Sequence, residues 1–228
     1  MKIKKSIPQD FLSAVYLFLF IFVFTACNKP VTLFNKIPAT KSGLTFNNII
    51  AENDSINPLD LEFLYNGGGV AVGDFNNDGL PDLYFTASIA SNKLYLNKGK
   101  LAFEDVTEKA GVAGEDRWSN AASVVDINND GWPDIYVCAT IKKNPEQRRN
   151  LFYINQGLNK EGIPTFKDEA QAYSLADTSL SVHATFFDCD NDGDLDMYLV
   201  TTKLAQRDAT QFMNNNVGDT AMDDYDKL

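Results

Sequence analysis

Three short segments place side-chain oxygens at alternating positions. Residues 74–85 read DFNNDGLPDLYF, residues 126–137 read DINNDGWPDIYV and residues 188–199 read DCDNDGDLDMYL. Positions 1, 3, 5 and 9 of the first hold Asp74, Asn76, Asp78 and Asp82. The second holds Asp126, Asn128, Asp130 and Asp134, and the third Asp188, Asp190, Asp192 and Asp196. Position 6 is glycine each time (Gly79, Gly131, Gly193), as a sharp turn of positive φ favours. Alternate spacing turns the side chains toward one point, and position 7 adds a backbone carbonyl from Leu80, Trp132 or Asp194. Hard oxygen donors at these offsets suit one Ca²⁺ per loop, about three in all, whereas Mg²⁺ keeps more of its water. The loops are not EF-hands: position 12 holds Phe85, Val137 and Leu199 where a bidentate Glu would stand. Position 4, occupied by Asn77 in the first loop, has no ligand role in this scheme.

Charge and composition narrow the class. Acidic residues number 31 against 20 basic, for a net charge of −11, which argues against a nucleic-acid partner. Three carboxylates in each of the first two loops and four in the third carry much of that charge, and bound Ca²⁺ would offset it. The single histidine, His183, excludes a multi-histidine zinc site and gives no basis for a Ser-His-Asp triad. No catalytic constellation stands out, so the reading is not an enzyme. Three cysteines do not make a dense disulfide framework, and Cys138 and Cys189 either pair or sit reduced.

The first residues read as an address. Lys2-Ile3-Lys4-Lys5 is a basic start, and residues 11–24 (FLSAVYLFLFIFVF) are almost wholly apolar. The run is short for a membrane-spanning helix and has the form of a secretory signal over residues 1–26. Thr25-Ala26-Cys27 then resembles a bacterial lipobox, with Phe24 where leucine is usual. That resemblance implies lipidation of Cys27, anchoring in a bacterial envelope, and exposure at the outer membrane or cell surface. Residues 27–45, with Pro30 and Pro38 and no regular period, read as a tether.

The elements that position the loops repeat with them. Val70-Ala71-Val72, Ser123-Val124-Val125 and Thr185-Phe186-Phe187 lead into the loops. Leu83-Tyr84-Phe85, Ile135-Tyr136-Val137 and Met197-Tyr198-Leu199 lead out, and both flanks read as strands. Asn92-Lys93-Leu94-Tyr95-Leu96-Asn97 matches Asn150-Leu151-Phe152-Tyr153-Ile154-Asn155, and Phe103-Glu104-Asp105 matches Phe166-Lys167-Asp168. Four strands per unit predict an all-β chain of propeller blades over residues 46–228. Asp226-Lys227-Leu228 aligns with the opening of the third strand, Asn92-Lys93-Leu94. Three blades do not close a propeller, so further blades are expected beyond residue 228; the alternative is closure by self-association.

The segment Gly67-Gly68-Gly69-Val70-Ala71-Val72-Gly73-Asp74-Phe75-Asn76-Asn77-Asp78-Gly79 resembles an FG-GAP (VCBS-type) repeat. The pieces at 92–97 and 103–107 are similar to bacterial proteins related to cartilage acidic protein, which often end in an ASPIC/UnbV domain. The resemblance implies an integrin-α-like β-propeller with calcium in its hairpin loops. It also implies a surface scaffold for an extracellular protein or glycan ligand, without common catalytic residues. The alternative is the propeller portion of a polysaccharide lyase or hydrolase. Trp118 and Trp132 read as blade packing ahead of sugar platforms, and Lys142-Lys143 with Arg148-Arg149 as a solvated basic run. Residues 204–225 read as a long polar insertion and a candidate ligand surface.

Overall fold

The computed structural model describes residues 32–203, apart from 59, 60, 62, 63 and 115, together with the backbone of 226–227. The signal segment, Cys27 and the insertion at 204–225 lie outside the described residues. Among the described residues no helix is long and apolar enough to cross a membrane.

The chain is all-β. Strands β1 (Val70–Gly73), β2 (Asp82–Phe85), β3 (Lys93–Asn97) and β4 (Phe103–Asp105) form one antiparallel sheet in sequence order. Strands β5 (Trp118–Val125), β6 (Asp134–Thr140), β7 (Leu151–Leu158) and β8 (Pro164–Asp168) form a second in the same order. Strands β9 (Leu180–Phe187), β10 (Asp196–Thr202) and β11 (Asp226–Lys227) form a third, ordered β11-β10-β9. The three sheets are partial propeller blades, and their registers are equivalent. Val72 pairs with Leu83, Val124 with Ile135 and Phe186 with Met197. The third strand joins equivalently too, with Phe85 opposite Lys93, Val137 opposite Leu151 and Leu199 opposite Lys227.

Side-chain alternation makes the middle blade serve two cores. All seven residues of β6 are buried, because a sheet packs on each face. Ile135 and Val137 enter a core with Phe75, Tyr84, Leu94, Leu96 and Val112 from the first blade. Tyr136 and Cys138 face the other way, into a core with Phe152, Ile154, Ala184 and Leu199. Aromatic rings fill that second core: Tyr136 meets Phe152 and Phe186 edge-on, each at 5.6 Å between centroids. Cys138 is a buried free thiol and Cys189 an exposed one.

Polar nodes tie the blades together. Asn150 accepts from Ala139 N–H (2.8 Å) and donates to Tyr136 OH (3.0 Å) and to Ser181 Oγ of the next blade (2.8 Å). Asn92 repeats this with Ala87 N–H, Tyr84 OH and Ser119 Oγ. The tyrosines pass the chain on, Tyr84 to the Val112 carbonyl and Tyr136 to the Leu175 carbonyl. Each amide, 0–1% exposed, spends its oxygen and both hydrogens inside the protein.

Two segments depart from the sequence reading. Within the expected tether, Ala39–Ser42 forms one helical turn, and the following chain lies on the first blade. Gly43 (φ 75°) runs against the backbone of Phe103, so closely that a Cβ there would strike the Phe103 carbonyl. Phe46 stacks on Phe85 at 5.0 Å, and Asn48 exchanges hydrogen bonds with Ser88. Nor is the basic run a merely solvated face. Arg148 donates to the carbonyls of Thr178, Lys142 and Lys143, and Arg149 pairs with Asp168 at 2.9 Å.

Asn150→Ala leaves the Ala139 N–H without its acceptor and takes one donor from each of the Tyr136 and Ser181 hydroxyls in the core. The expected loss is about 3 kcal/mol in urea unfolding at unchanged m-value; a loss near zero would show that the nodes carry no stability.

Candidate metal centres in the hairpin loops

Each loop is folded by its own acidic side chains. In the first, Asp74 accepts from Asp78 N–H (3.0 Å) and Gly79 N–H (2.8 Å), one on each carboxylate oxygen. Asn76 Oδ1 also accepts from Asp78 N–H, and Asp78 Oδ1 accepts from Leu80 N–H (2.8 Å). The second loop matches it bond for bond: Asp126 to Asp130 and Gly131, Asn128 to Asp130, and Asp130 to Trp132. In the third, Asp188 holds Asp192 and Gly193, Asp190 holds Asp192, and Asp192 holds Asp194. So positions 1, 3 and 5 share one face of each loop, and position 7 is held by its own N–H. The turn uses positive φ at two residues, Asn77 (54°) and Gly79 (84°) in the first loop.

Position 9 has a second task that spacing does not reveal. Asp82 is fully buried; its Oδ2 accepts from Phe75 N–H (3.0 Å) and its Oδ1 from Asn97 N–H on β3 (2.7 Å). Asp134 does the same with Ile127 N–H (3.1 Å) and Asn155 N–H on β7 (2.8 Å). Burial pushes both carboxyls up to about 6, and the loop carboxylates beside them add to the rise, against the two N–H donors. Asp196 differs: it is exposed, and the thiol and N–H of Cys189 hold it below the usual carboxylate range.

The loops also differ in side-chain direction. At position 3 the amide of Asn76 donates to Asp78 Oδ2 (3.0 Å), and that of Asn128 to Asp130 Oδ2 (2.8 Å). An aspartate has no such hydrogen to give. In the third loop Asp188, Asp190 and Asp196 each bring a carboxylate oxygen within 4.8 Å of the others. Gathered like charges favour a counter-cation.

The other flagged residues fall elsewhere. His183 is exposed on β9, Trp118 is 4% exposed in the second blade, and Trp132 is half-buried against Gly157. Sequence reasoning missed Asn155, whose Nδ2 donates to the Phe75 carbonyl of the preceding loop (3.0 Å). It also missed Asn77, whose Nδ2 reaches the Gly131 carbonyl of the next (3.0 Å). The repeated Asn ending both strand motifs was the signal for Asn155; Asn77 carried none beyond its turn preference.

Residues 74–137, from the first loop through the second, match the family model described as FG-GAP-like repeat. The chain is 31% identical over 119 residues to integrin alpha-4 of Xenopus laevis, covering 47% of this chain and 11% of that protein. It is 28% identical over 158 residues to cartilage acidic protein 1 of Xenopus tropicalis, covering 69% of this chain and 23% of that one. A third relative is the T-cell immunomodulatory protein homolog of Plasmodium yoelii yoelii, 27% identical over 161 residues, with 66% and 22% covered. The chain thus spans between about a tenth and a quarter of the length of these relatives. The third loop lies beyond the matched segment and keeps the strand register of the first two.

In buffer containing chelator, Asp134→Asn presents an NH₂ to one of two backbone N–H groups and is expected to lower stability by about 1–3 kcal/mol. Exposed Asp190→Asn, measured alongside by urea unfolding, should change it little. Equal effects would show that the two N–H bonds to position 9 carry no stability of their own.

Proposed function

We propose that the chain is a calcium-stabilised β-propeller scaffold that presents a binding or adhesion surface to an extracellular protein or glycan. The observation that carries the calcium reading is the shared geometry of the three loops. In each, the side-chain oxygens of positions 1 and 3 meet on the position-5 N–H, and the position-5 carboxylate accepts from position 7. The donor chemistry fits: all are hard oxygens, spaced for a cation that accepts six to eight of them in flexible geometry. The three converging carboxylates of the third loop add support. Asp74, Asn76, Asp78 and Asp82 would hold the first ion, with Leu80 supplying a carbonyl. The corresponding donors in the other loops are Asp126, Asn128, Asp130, Asp134 and Trp132, and Asp188, Asp190, Asp192, Asp196 and Asp194. Calcium here would pin hairpins and supply no reaction chemistry. Likeness to an integrin α-chain and to cartilage acidic protein supports a binding role over turnover.

Lipidation at Cys27 would hold this scaffold on a bacterial envelope, at the outer membrane or cell surface. A basic start, a short apolar run and a small residue before cysteine support it.

Calcium that binds only folded loops stabilises by mass action, about 2.7 kcal/mol per site at a hundredfold excess over Kd. Millimolar Ca²⁺ should therefore raise Tm, and Asp78→Ala should lose much of the rise. No shift between calcium and chelator would remove the calcium reading. Cys27→Ser should move the protein from the membrane to the soluble fraction; retention in the membrane would refute the lipid anchor.

A further inference from the structure

The loops of the first two blades belong to different sheets, yet two side chains join them. At the rim, Asn77 Nδ2 donates to the Gly131 carbonyl. That carbonyl belongs to the Gly131–Trp132 peptide, whose N–H donates to Asp130 Oδ1 at 2.8 Å. Asn77 therefore grips the peptide plane that orients the position-5 carboxylate of the second loop. Its own backbone lies between Asn76 and Asp78, two donors of the first loop.

At the floor, Asn155 Nδ2 donates to the Phe75 carbonyl, in the peptide that leads into Asn76. Phe75 N–H donates to Asp82, and Asn155 N–H donates to Asp134. One hydrogen-bond chain thus runs from Asp82 through Phe75 and Asn155 to Asp134, joining the position-9 carboxylates of both loops. Asn155 is 2% exposed, so water does not compete for this link.

The second and third loops lack the rim bond. Asn129 stands at position 4 with φ 54°, as Asn77 does, but among the described residues it makes no bond to the third loop.

We propose that the first two loops bind cations as a coupled pair, with Asn77 and Asn155 as the positioning residues that carry order between them. This rests on the calcium reading above. A cation that orders one loop fixes the Gly131–Trp132 peptide and the Asp82–Asp134 chain. The other loop then has less freedom to lose on binding. The coupling is reciprocal; with the Asn77 link exposed, the two links together are worth about one hydrogen bond of ordinary net strength, or about three- to tenfold in affinity.

Trp132, at position 7 of the second loop, offers a loop-specific reporter through sensitised Tb³⁺ emission. The experiment titrates Tb³⁺ into the full chain with and without Asp78→Asn, which weakens the first loop alone. Loop-two affinity should fall about three- to tenfold with Asp78→Asn. In an Asn77→Gly background, where glycine accepts the same positive φ, that factor should shrink toward one. In an Asn129→Gly background it should persist. A factor of one in the parent chain overturns the coupling, and equal factors in the two glycine backgrounds overturn the role of Asn77. Absence of both sensitised emission and Ca²⁺ binding heat overturns the calcium reading beneath them.

Discussion

A buried carboxylate at the base of a hairpin holds much of this structure in place. Asp82 and Asp134 each join three stretches of chain: the loop through position 2, their own strand, and the third strand through an asparagine N–H. Two N–H bonds per carboxylate offset part of the cost of burial; the rise of both groups to about 6 marks the part they leave. A divalent cation in front of the loop would favour the charged form. Loop closure and strand pairing therefore meet at one side chain, the same one on which the proposed cation would act, and the blade geometry follows from satisfying it.

From that base, order spreads between blades by two routes. Apolar side chains of β6 fill cores on both sides, which drives association without specifying register. Directional bonds supply the register. Asn92 and Asn150 connect each second strand to the following blade, while Asn77 and Asn155 connect the loops. A buried amide with all its hydrogens and its oxygen committed accepts few alternative arrangements. Stability and geometric precision are thus assigned to different residues, and the loops sit on the precise set.

Much of the fold was legible because the chain repeats. Strand order, hairpin position and cross-strand register recur from blade to blade, and one period of apolar and turn residues predicts them all. The segment after Pro38 was less legible. Its one helical turn and the Phe46–Phe85 stack depend on a surface that exists only once the first blade is formed. Arg148 and Arg149 read as solvated charge because nothing nearby in sequence shows the carbonyls and the carboxylate they reach, up to 30 residues away.

By itself the sequence determined the loops, the spacing of their oxygen-bearing side chains, their strand flanks and the number of units described. Those depend on spacing of two to twelve residues, which local backbone geometry converts directly into position. Only the tertiary structure decided that position 9 is a buried latch in the first two loops, that position 4 of the first loop bridges to the second, and that among the described residues only the third loop converges three carboxylates. The first two turn on which groups lie opposite one another across strands and sheets, with partners 15 and 54 residues apart, and chain spacing carries no record of that; the third turns on side-chain direction, since Asp190 has no amide hydrogen of the kind that Asn76 and Asn128 give to Asp78 and Asp130.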